Sequence, residues 1–487
     1  MTVLGLASLD ARRQGRTDWA LVLLAAAGLV MGALFAGFTV LYVNVPKGYN
    51  VIFGLSLDSA PLFRSVYRYP TISVDAHSFS VFAGGTLLLL WVVYLSASLV
   101  LGAGQITATR SSAVAVIAGF AVLFDVGLAL AMPPVLSADV YHYALFGRMV
   151  ALYHLNPYVT SDLAIKSDPL WQFAFWKDVT THYGPVWTLV SAGLAWLTAQ
   201  SVMSTVLAFK GVAAAFNLAN CVLVFLLARR LGSGDGARSL LLYAWNPLVL
   251  IETTGSGHNE AAMMTFALLG TLLLIRGRVA LGAIALTLSI LVTYLTALLA
   301  FFVATSVVAA SKTRRQGVAT ATRMVVVGGL VAAALYVPFW AGLTTFDRLV
   351  SVGSPFKTPV RVGLRELVAR LIVGSGSLDT ARAAAEPLVV AGLHVVFLLL
   401  VLFLTRRLIV ERPTTSLLRW SRVLEQWGIA SLVYVTLIYG WDLPFYLILP
   451  MATVFVGPFS RTNDRLNAAC TGLGIAMMLE YVILRPV

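Results

Sequence analysis

The chain is poor in charge. Only 11% of its 487 residues are Asp, Glu, Lys or Arg, with 21 acidic against 34 basic side chains, while 59% are hydrophobic and the mean hydropathy is +0.88. So little charge cannot cover a water-soluble globule of this length, and no stretch is left over that would form one. Cysteine is scarcer still. Cys221 and Cys470 lie in apolar runs and read as small buried hydrophobes, so they carry no information about redox compartment. Arg12, Arg13 and Arg16 precede a long apolar run that starts near Trp19, but no small-residue cleavage site follows at signal-peptide distance, which predicts a retained first helix. The net charge of +13 is scattered singly between apolar runs instead of being gathered in an aromatic-basic domain, so no nucleic-acid partner is expected.

What the chain has in abundance is apolar runs of about 20 residues, the length that crosses about 30 Å of hydrocarbon. The pattern predicts an all-α polytopic membrane protein. Short cytoplasmic loops are enriched in Lys and Arg. The clusters Arg12/Arg13/Arg16, Arg110, Arg229/Arg230/Arg238, Arg276/Arg278, Lys312/Arg314/Arg315, Arg406/Arg407/Arg412 and Arg461/Arg465 all fall on one side if spans lie near 19–43, 79–103, 112–132, 206–228, 238–254, 260–276, 278–290, 293–310, 322–342, 386–405, 427–440, 443–457 and 466–484, about thirteen crossings. The scheme requires that the apolar run 185–200 does not cross but lies in or dips into the outer interface. It also requires 278–310 to hold two short spans with an outer break near Thr293–Tyr294. The longest non-cytoplasmic segments are then 45–77, 133–204 and 343–385. Three small tracts share their face: Gly255 to Glu260, the 290–294 break, and Gly440 to Tyr446. Chemistry at that interface implies a lipid substrate, because nucleotide-activated donors are cytosolic, and a polyprenyl-phosphate carrier meets the constraint.

Several of these tracts carry a family likeness. Ser137-Ala138-Asp139-Val140-Tyr141-His142-Tyr143, followed by Gly147-Arg148 and Asn156-Pro157-Tyr158, resembles the D-V-Y-x-Y … G-R … N-P-Y tract of bacterial (actinobacterial-type) polyprenyl-phosphate-mannose-dependent α-1,6-mannosyltransferases. Tyr183-Gly184-Pro185-Val186-Trp187 comes next. Then Trp245 to Glu252 leads into Gly257-His258-Asn259-Glu260, which resembles that family's N-P-L-V-L-x-E … G-H-N-D. Each pattern is weak, but their order over 137–264 is specific. From about residue 112 onward the chain is similar to the C-type integral-membrane glycosyltransferases. This divides it into N-terminal transmembrane helices with an outer loop, 1–111, and a transmembrane core, 112–487, with an active-site loop at 133–204 and an outer loop at 343–385. The sequence also departs from the family pattern. Glu260 stands where Asp is usual, Thr293 where similar enzymes often carry Lys, and 137–143 holds no clear Asp-x-Asp pair, so a divalent metal is allowed but not implied.

The resemblance implies transfer of mannose from a polyprenyl-phosphate-mannose donor to a mannoside or lipid-linked glycan acceptor, in the elongation of a lipid-anchored mannan. The enzyme would sit in the plasma membrane with its site on the non-cytoplasmic face. Going from a β-linked donor to an α-1,6 linkage inverts the anomeric carbon, and a single displacement needs one base. Asp139 is the candidate, with an interfacial helix N-cap as its other reading. Phosphate departure needs a cation, for which Arg148, Lys210, Lys357, Arg361 and Arg365 are available. His258, Asn259 and Glu260 are more polar than a turn requires and read as substrate-binding, with Glu252 orienting them. Trp441, Asp442 and Tyr446 could stack on and hydrogen-bond a sugar. Tyr141, His142, His182 and Tyr183 are read as substrate-binding; the two histidines could orient Asp139 or contact sugar hydroxyls, with interface-lining as their blander reading. No paired His/Asp/Glu spacing supports metal ligation. Asp125, in mid-span, is expected to pair with a neighbouring helix or line a polar cavity. The alternatives are another polyprenyl-phosphate-linked sugar, such as arabinose or glucose, or a lipid or solute transporter. Against the transporter, no two halves of the sequence resemble each other and the polar tracts cluster at one interface.

Overall fold

In a computed structural model, residues 19–45, 59–102, 110–134, 136–199, 201–232, 236–351, 358–374, 376–411, 415–439, 443–457, 461–480 and 482 are described. Their regular structure is helical, with no strand among them. In chain order the helices are α1 Trp19–Val43, α2 Ser59–Val66, α3 Ala76–Gly102, α4 Arg110–Ala131, α5 Asp139–Ala151, α6 Pro185–Leu197, α7 Val202–Arg230, α8 Gly236–Ala244, α9 Pro247–Leu250, α10 Glu260–Ile275, α11 Val279–Ile290, α12 Ala297–Ala310, α13 Arg314–Tyr336, α14 Asp347–Ser351, α15 Pro359–Ile372, α16 Leu378–Val410, α17 Ser416–Val433, α18 Ile448–Val456 and α19 Arg461–Leu479. Many helix starts are written locally. The side chains of Ser201, Thr313, Thr358, Ser377 and Thr415 each accept from a backbone N–H of the turn they open, and Pro185, Pro247 and Pro359 occupy first-turn positions where no N–H is needed.

The apolar runs read from the sequence all fall on these helices. By length and composition six helices among the described residues are long and apolar enough to cross a membrane, or seven if the bent pair Pro247–Gly255 and Glu260–Ile275 is one span. The difference from the thirteen expected crossings lies in shorter apolar helices such as Val279–Ile290 and Tyr294–Ala310, which at about 1.5 Å per residue fall short of about 30 Å. The run 185–200 forms α6, only 13 residues long and thus too short to span. The 278–310 segment breaks at 291–293, as its sequence predicts. There the carbonyls of Leu291 and Val292 accept from the N–H groups of Val186 (3.0 Å) and Gly184 (3.1 Å), so the break is capped by the start of α6.

This cap brings the loop tracts together at one end of the helices. Asn156 reaches from the first loop to the Phe339 carbonyl (2.8 Å), and Tyr158 donates to the carbonyl of Tyr183 (2.9 Å) and packs on Tyr336 and Phe339. The long loop between α5 and α6 is held down by Arg148. Its Nε donates to Asp168 at 2.6 Å and its Nη1 to the Ala199 carbonyl at 3.0 Å, while Tyr153 donates to the same carboxylate at 2.9 Å. Both partners of this ion pair are buried, at 10% and 0% side-chain exposure. Two glycines permit the close approaches: a Cβ on Gly147 would strike the backbone of Ser191 in α6, and one on Gly184 the backbone of Leu291.

Two outcomes follow for stability in detergent. Gly147→Ala costs about 1–3 kcal/mol or more by overpacking the α5–α6 contact. Gly193→Ala, on the facing helix α6 but with open space at its Cβ, is neutral to stabilising by up to about 1 kcal/mol. Thermal unfolding curves that ranked the two variants the other way would refute this packing. Arg148→Ala leaves the buried Asp168 carboxylate without its cation, with Tyr153 and the Leu170 N–H still donating to it, and is expected to lose about 3–5 kcal/mol.

Candidate active site

Asp139 opens α5, but it does not cap it. The capping position is Ala138, which makes no side-chain bond, and Asp139 is the first helical residue, its own N–H donating to Ser137 Oγ at 3.0 Å. The carboxylate is therefore free of capping duty. Its Oδ2 accepts from the Tyr183 hydroxyl at 3.4 Å and lies 4.0 Å from His258 Nε2. The side chain keeps 21% of its surface exposed, toward a cavity. Burial raises the Asp139 pKa above the ordinary carboxylate value, although His258, Ser137 and Tyr183 pull in the opposite direction.

Behind Asp139 the span that begins at Pro247 is interrupted. Asn246 accepts from the N–H groups of Leu248 and Val249, α9 runs into a π-helical turn at Ile251–Gly255, and the chain then bends by 113° into α10. Gly257 is the pivot. Its φ is +80°, and a Cβ there would sit 3.3 Å from both Lys210 Cγ and Val140 Cγ2, so both backbone conformation and space call for glycine. The bend delivers four polar side chains. Glu252, His258 and Asn259 are fully buried, and Glu260, the first residue of α10, is 4% exposed. His258 Nδ1 approaches Glu252 Oε2 to 3.3 Å without hydrogen-bond alignment, and its ring packs on Phe445 at 4.1 Å. Both oxygens of Glu252, both nitrogens of His258 and both amide atoms of Asn259 are buried without a hydrogen-bond partner. Buried groups left open in this way are rare in folded proteins; here they concentrate beside one carboxylate.

The cavity in front measures about 930 Å³. Asp139, Glu260, His182 and Tyr183 form its polar end. Tyr294, Phe397, Tyr434, Tyr439 and Tyr446 give it aromatic walls, with Arg361 and His394 between them. Val390, His394 and Phe397 recur on one face of α16, while Val395, Val396 and Leu399 are exposed on that helix. The cavity is thus walled by a helix of which only 11% of the apolar window is buried in the protein.

The structure sorts the residues named from sequence. It brings Asp139, His182, Tyr183, Glu260, Arg361 and Tyr446 to the cavity, with Glu252, His258 and Asn259 packed behind. It places three elsewhere. Tyr141 stacks on Phe173, His142 Nε2 accepts from the Trp176 N–H at 3.0 Å, and Arg148 is engaged with Asp168. These three pin the loop over α5 and do not line the cavity. Burial drives the His142 pKa down to about 3 and that of His182 to about 4, so both rings are neutral near pH 7. Arg365 pairs with Glu366 at 3.0 Å and does not line the cavity. Lys357, Trp441 and Asp442 lie outside the described residues. Lys210, fully buried, donates to the carbonyls of Leu128 (2.8 Å) and Met132. Asp125 accepts from Asn217 (3.0 Å) and from Thr254, tying α4 and α7 to the π turn. Among the described residues no three His, Cys, Asp or Glu side chains group as metal ligands.

His394 and Tyr439 were not picked out by motif, whereas Tyr294 stands at the break expected near Thr293–Tyr294. His394 had a signal, since an ionisable residue in mid-run is costly without a role. Tyr439 had none, because aromatic residues are ordinary at interfaces.

Comparison with known proteins places this site in a family. The model of the "Alpha-(1->6)-mannopyranosyltransferase, N-terminal domain" matches residues 51–310, a range that holds Asp139, the α5–α6 loop and the whole broken span. A probable alpha-(1->6)-mannopyranosyltransferase of Mycolicibacterium smegmatis is 30% identical over 162 residues, 32% of this chain and 28% of that protein. Alpha-(1->6)-mannopyranosyltransferase A of Mycobacterium tuberculosis is 30% identical over 170 residues, 33% of this chain and 31% of its own. The protein of the same name from Corynebacterium glutamicum is 26% identical over 257 residues, 49% of this chain and 51% of its own. The matched stretches thus span about a third to a half of these relatives. With the family match covering more than half of its length, this chain belongs to the alpha-(1->6)-mannopyranosyltransferase family.

Proposed function

We propose that the protein transfers mannose from polyprenyl-phosphate-mannose to a mannoside or lipid-linked glycan, forming an α-1,6 linkage on the non-cytoplasmic face of the plasma membrane. The observation that carries this reading is the cavity itself. A carboxylate with exposed surface stands at its polar end, while its aromatic and apolar walls belong to helices whose outer faces are apolar and exposed. An amphipathic donor, sugar-phosphate at one end and isoprenoid at the other, has the same division of chemistry. The names of the relatives support mannose and the linkage. The side is supported by the distribution of Arg and Lys in the sequence; Arg110, Arg229, Arg230 and Arg407 stand at the ends of α4, α7 and α16 away from those that reach the site.

In this reaction the acceptor hydroxyl attacks the anomeric carbon from the face opposite the phosphate. A new C–O bond forms, the C1–O(phosphate) bond breaks with its electron pair going to the phosphate oxygen, and the hydroxyl proton passes to Asp139. The products are the α-mannoside, polyprenyl monophosphate and a protonated Asp139, which returns its proton to water. The Tyr183 hydroxyl donates to the carboxylate and the buried His258 stands 4.0 Å from it, and the partly desolvated position makes it more basic than a carboxylate in water.

Asp139→Asn is expected to lower transfer by about 10²–10⁴-fold, with fold and donor binding kept. The check is incorporation of radiolabelled mannose into a short mannoside by purified protein; full transfer by this variant would remove Asp139 as the base. The same assay run with polyprenyl-phosphate arabinose and glucose tests the sugar. The pH dependence has a definite sign. A base works only when deprotonated, so wild-type activity falls as pH drops through a pKa above the usual carboxylate range. The residual activity of Asp139→Asn lacks that acid limb.

A further inference from the structure

Asp125 lies within α4, fully buried, and takes no part in lining the cavity. An ionisable side chain at that depth is costly and calls for a role. Its partners show where it acts. Asn217 Nδ2 of α7 donates to both carboxylate oxygens, at 3.0 and 3.2 Å, and the Thr254 hydroxyl donates to Oδ1. The first partner joins two helices, as polar side chains in apolar bundles commonly do. The second belongs to the π turn at Ile251–Gly255, the piece of backbone that carries Glu252 and leads to His258 behind Asp139.

The turn has few other holds. Thr253 gives its hydroxyl to the Val249 carbonyl of its own span at 2.6 Å, and both oxygens of Glu252 are buried without a hydrogen-bond partner. Among the described residues, Thr254 is the one side chain of the turn that is hydrogen-bonded to another helix. Neither ring nitrogen of His258 has a hydrogen bond to fix it. Its place is therefore set by the backbone, where its N–H donates to the carbonyl of Thr253, the neighbour of Thr254, at 3.0 Å. About two helical turns along the same contact of α4 with α7, Lys210 donates to the Leu128 and Met132 carbonyls and packs against Gly257. One pair of helices thus braces the bend at Thr254 and again at its pivot.

We propose that Asp125 is a positioning residue for the transfer reaction: through Thr254 it holds the π turn, and with it Glu252 and His258, in register behind Asp139. The proposal rests on the glycosyl-transfer reading above. His258 Nε2 lies 4.0 Å from Asp139 Oδ2, close enough for a small shift of the ring to alter the field on the base. Misplacement by about 1 Å, even from a distant substitution, costs up to about 10²-fold in rate. The walls that receive the lipid belong to other helices, α12, α16 and α17 among them. Loss of the tie therefore falls on kcat and leaves the donor KM in place.

The test uses the full-length protein in nanodiscs and measures mannosyl transfer together with the imidazole nitrogen resonances of isotope-labelled histidine, His258 being identified by its loss in His258→Asn. Thr254→Val is expected to lower kcat about 10–100-fold, to leave the donor KM unchanged, and to shift or broaden the His258 signals. Thr254→Ala, which sets no methyl group against the carboxylate, serves if the Val variant unfolds. Asp125→Leu should match Thr254→Val, and the double variant should be no worse than either, because the two residues act as one unit. Asp125→Asn keeps an acceptor for Thr254, and its amide can donate to Asn217 Oδ1, which is buried without a partner; it should restore most of the lost kcat. Thr265→Val removes another buried hydroxyl, one that ties α10 to Asn220 of α7 at 2.8 Å without touching the turn, and should change neither kcat nor the His258 signals. Wild-type kcat in the Thr254 variants, a loss matched by Thr265→Val, or a raised donor KM in place of a lowered kcat would overturn the role of Asp125 while leaving mannosyl transfer in place. A wild type that transfers no mannose would overturn the reading of the reaction and this role with it.

Discussion

The site depends on one interruption, the 113° bend between Pro247–Gly255 and Glu260–Ile275. A continuous helix satisfies its own backbone and keeps polar side chains out of the hydrocarbon. Breaking it at Gly257 frees backbone groups that have to be bonded again, and the π turn does so locally: the N–H of Ser256 donates to the Ile251 carbonyl, and those of Gly257 and His258 to the Thr253 carbonyl. With the backbone closed in this way, the side chains of Glu252, His258, Asn259 and Glu260 are held at the level of Asp139 instead of at the end of a loop. The neighbouring helices are fitted to the bend. Lys210 of α7 and Val140 of α5 pack against the one residue that has no side chain.

A second constraint is charge. A protein with few charged residues near a membrane must account for each one, since an unpaired ion away from water is costly. Arg148 with Asp168 and Arg361 with Glu386 are neutralised in place and act as clamps, one on the α5–α6 loop and one between α15 and α16. Lys210 is absorbed by carbonyls at the C-terminal end of α4, where a cation suits the helix dipole. With these commitments made, Asp139 still turns exposed surface toward the cavity. An excess of unspent charge at one place is what distinguishes a binding site from a structural network.

Much of this was legible in the sequence. The helices follow apolar run length, the short helix α6 follows from the distribution of Arg and Lys, and the break at 291–293 follows from the need to fit two passes into one long run. The tracts around Asp139 and His258 could be singled out because polar residues are conspicuous in so apolar a chain. What could not be read was which polar residues are already engaged. Arg148 and His142 stand in the same tract as Asp139, yet their partners are Asp168 and the Trp176 backbone, 20 and 34 residues away, while Lys210 binds carbonyls 82 and 78 residues away. Residue type and local spacing are the same for a clamp and a ligand-binding group. Only the long-range pairing separates them, and pairing across helices is a property of the packed state.

The unpaired groups also bear on how the site can work. Each buried donor or acceptor without a partner costs about 1–3 kcal/mol, and the folded chain carries several within the reach of one bend. A fold selected for stability alone would fill that volume with Leu or Phe, as the surrounding helices do. Keeping Glu252, His258 and Asn259 there is tolerable because the rest of the bundle is densely apolar, and it is useful because their dipoles are already oriented before substrate arrives. Water around a free carboxylate must reorganise as charge moves from acceptor to phosphate; fixed groups behind Asp139 need not. The stability given up at the bend is therefore the physical basis of a base held ready at the cavity.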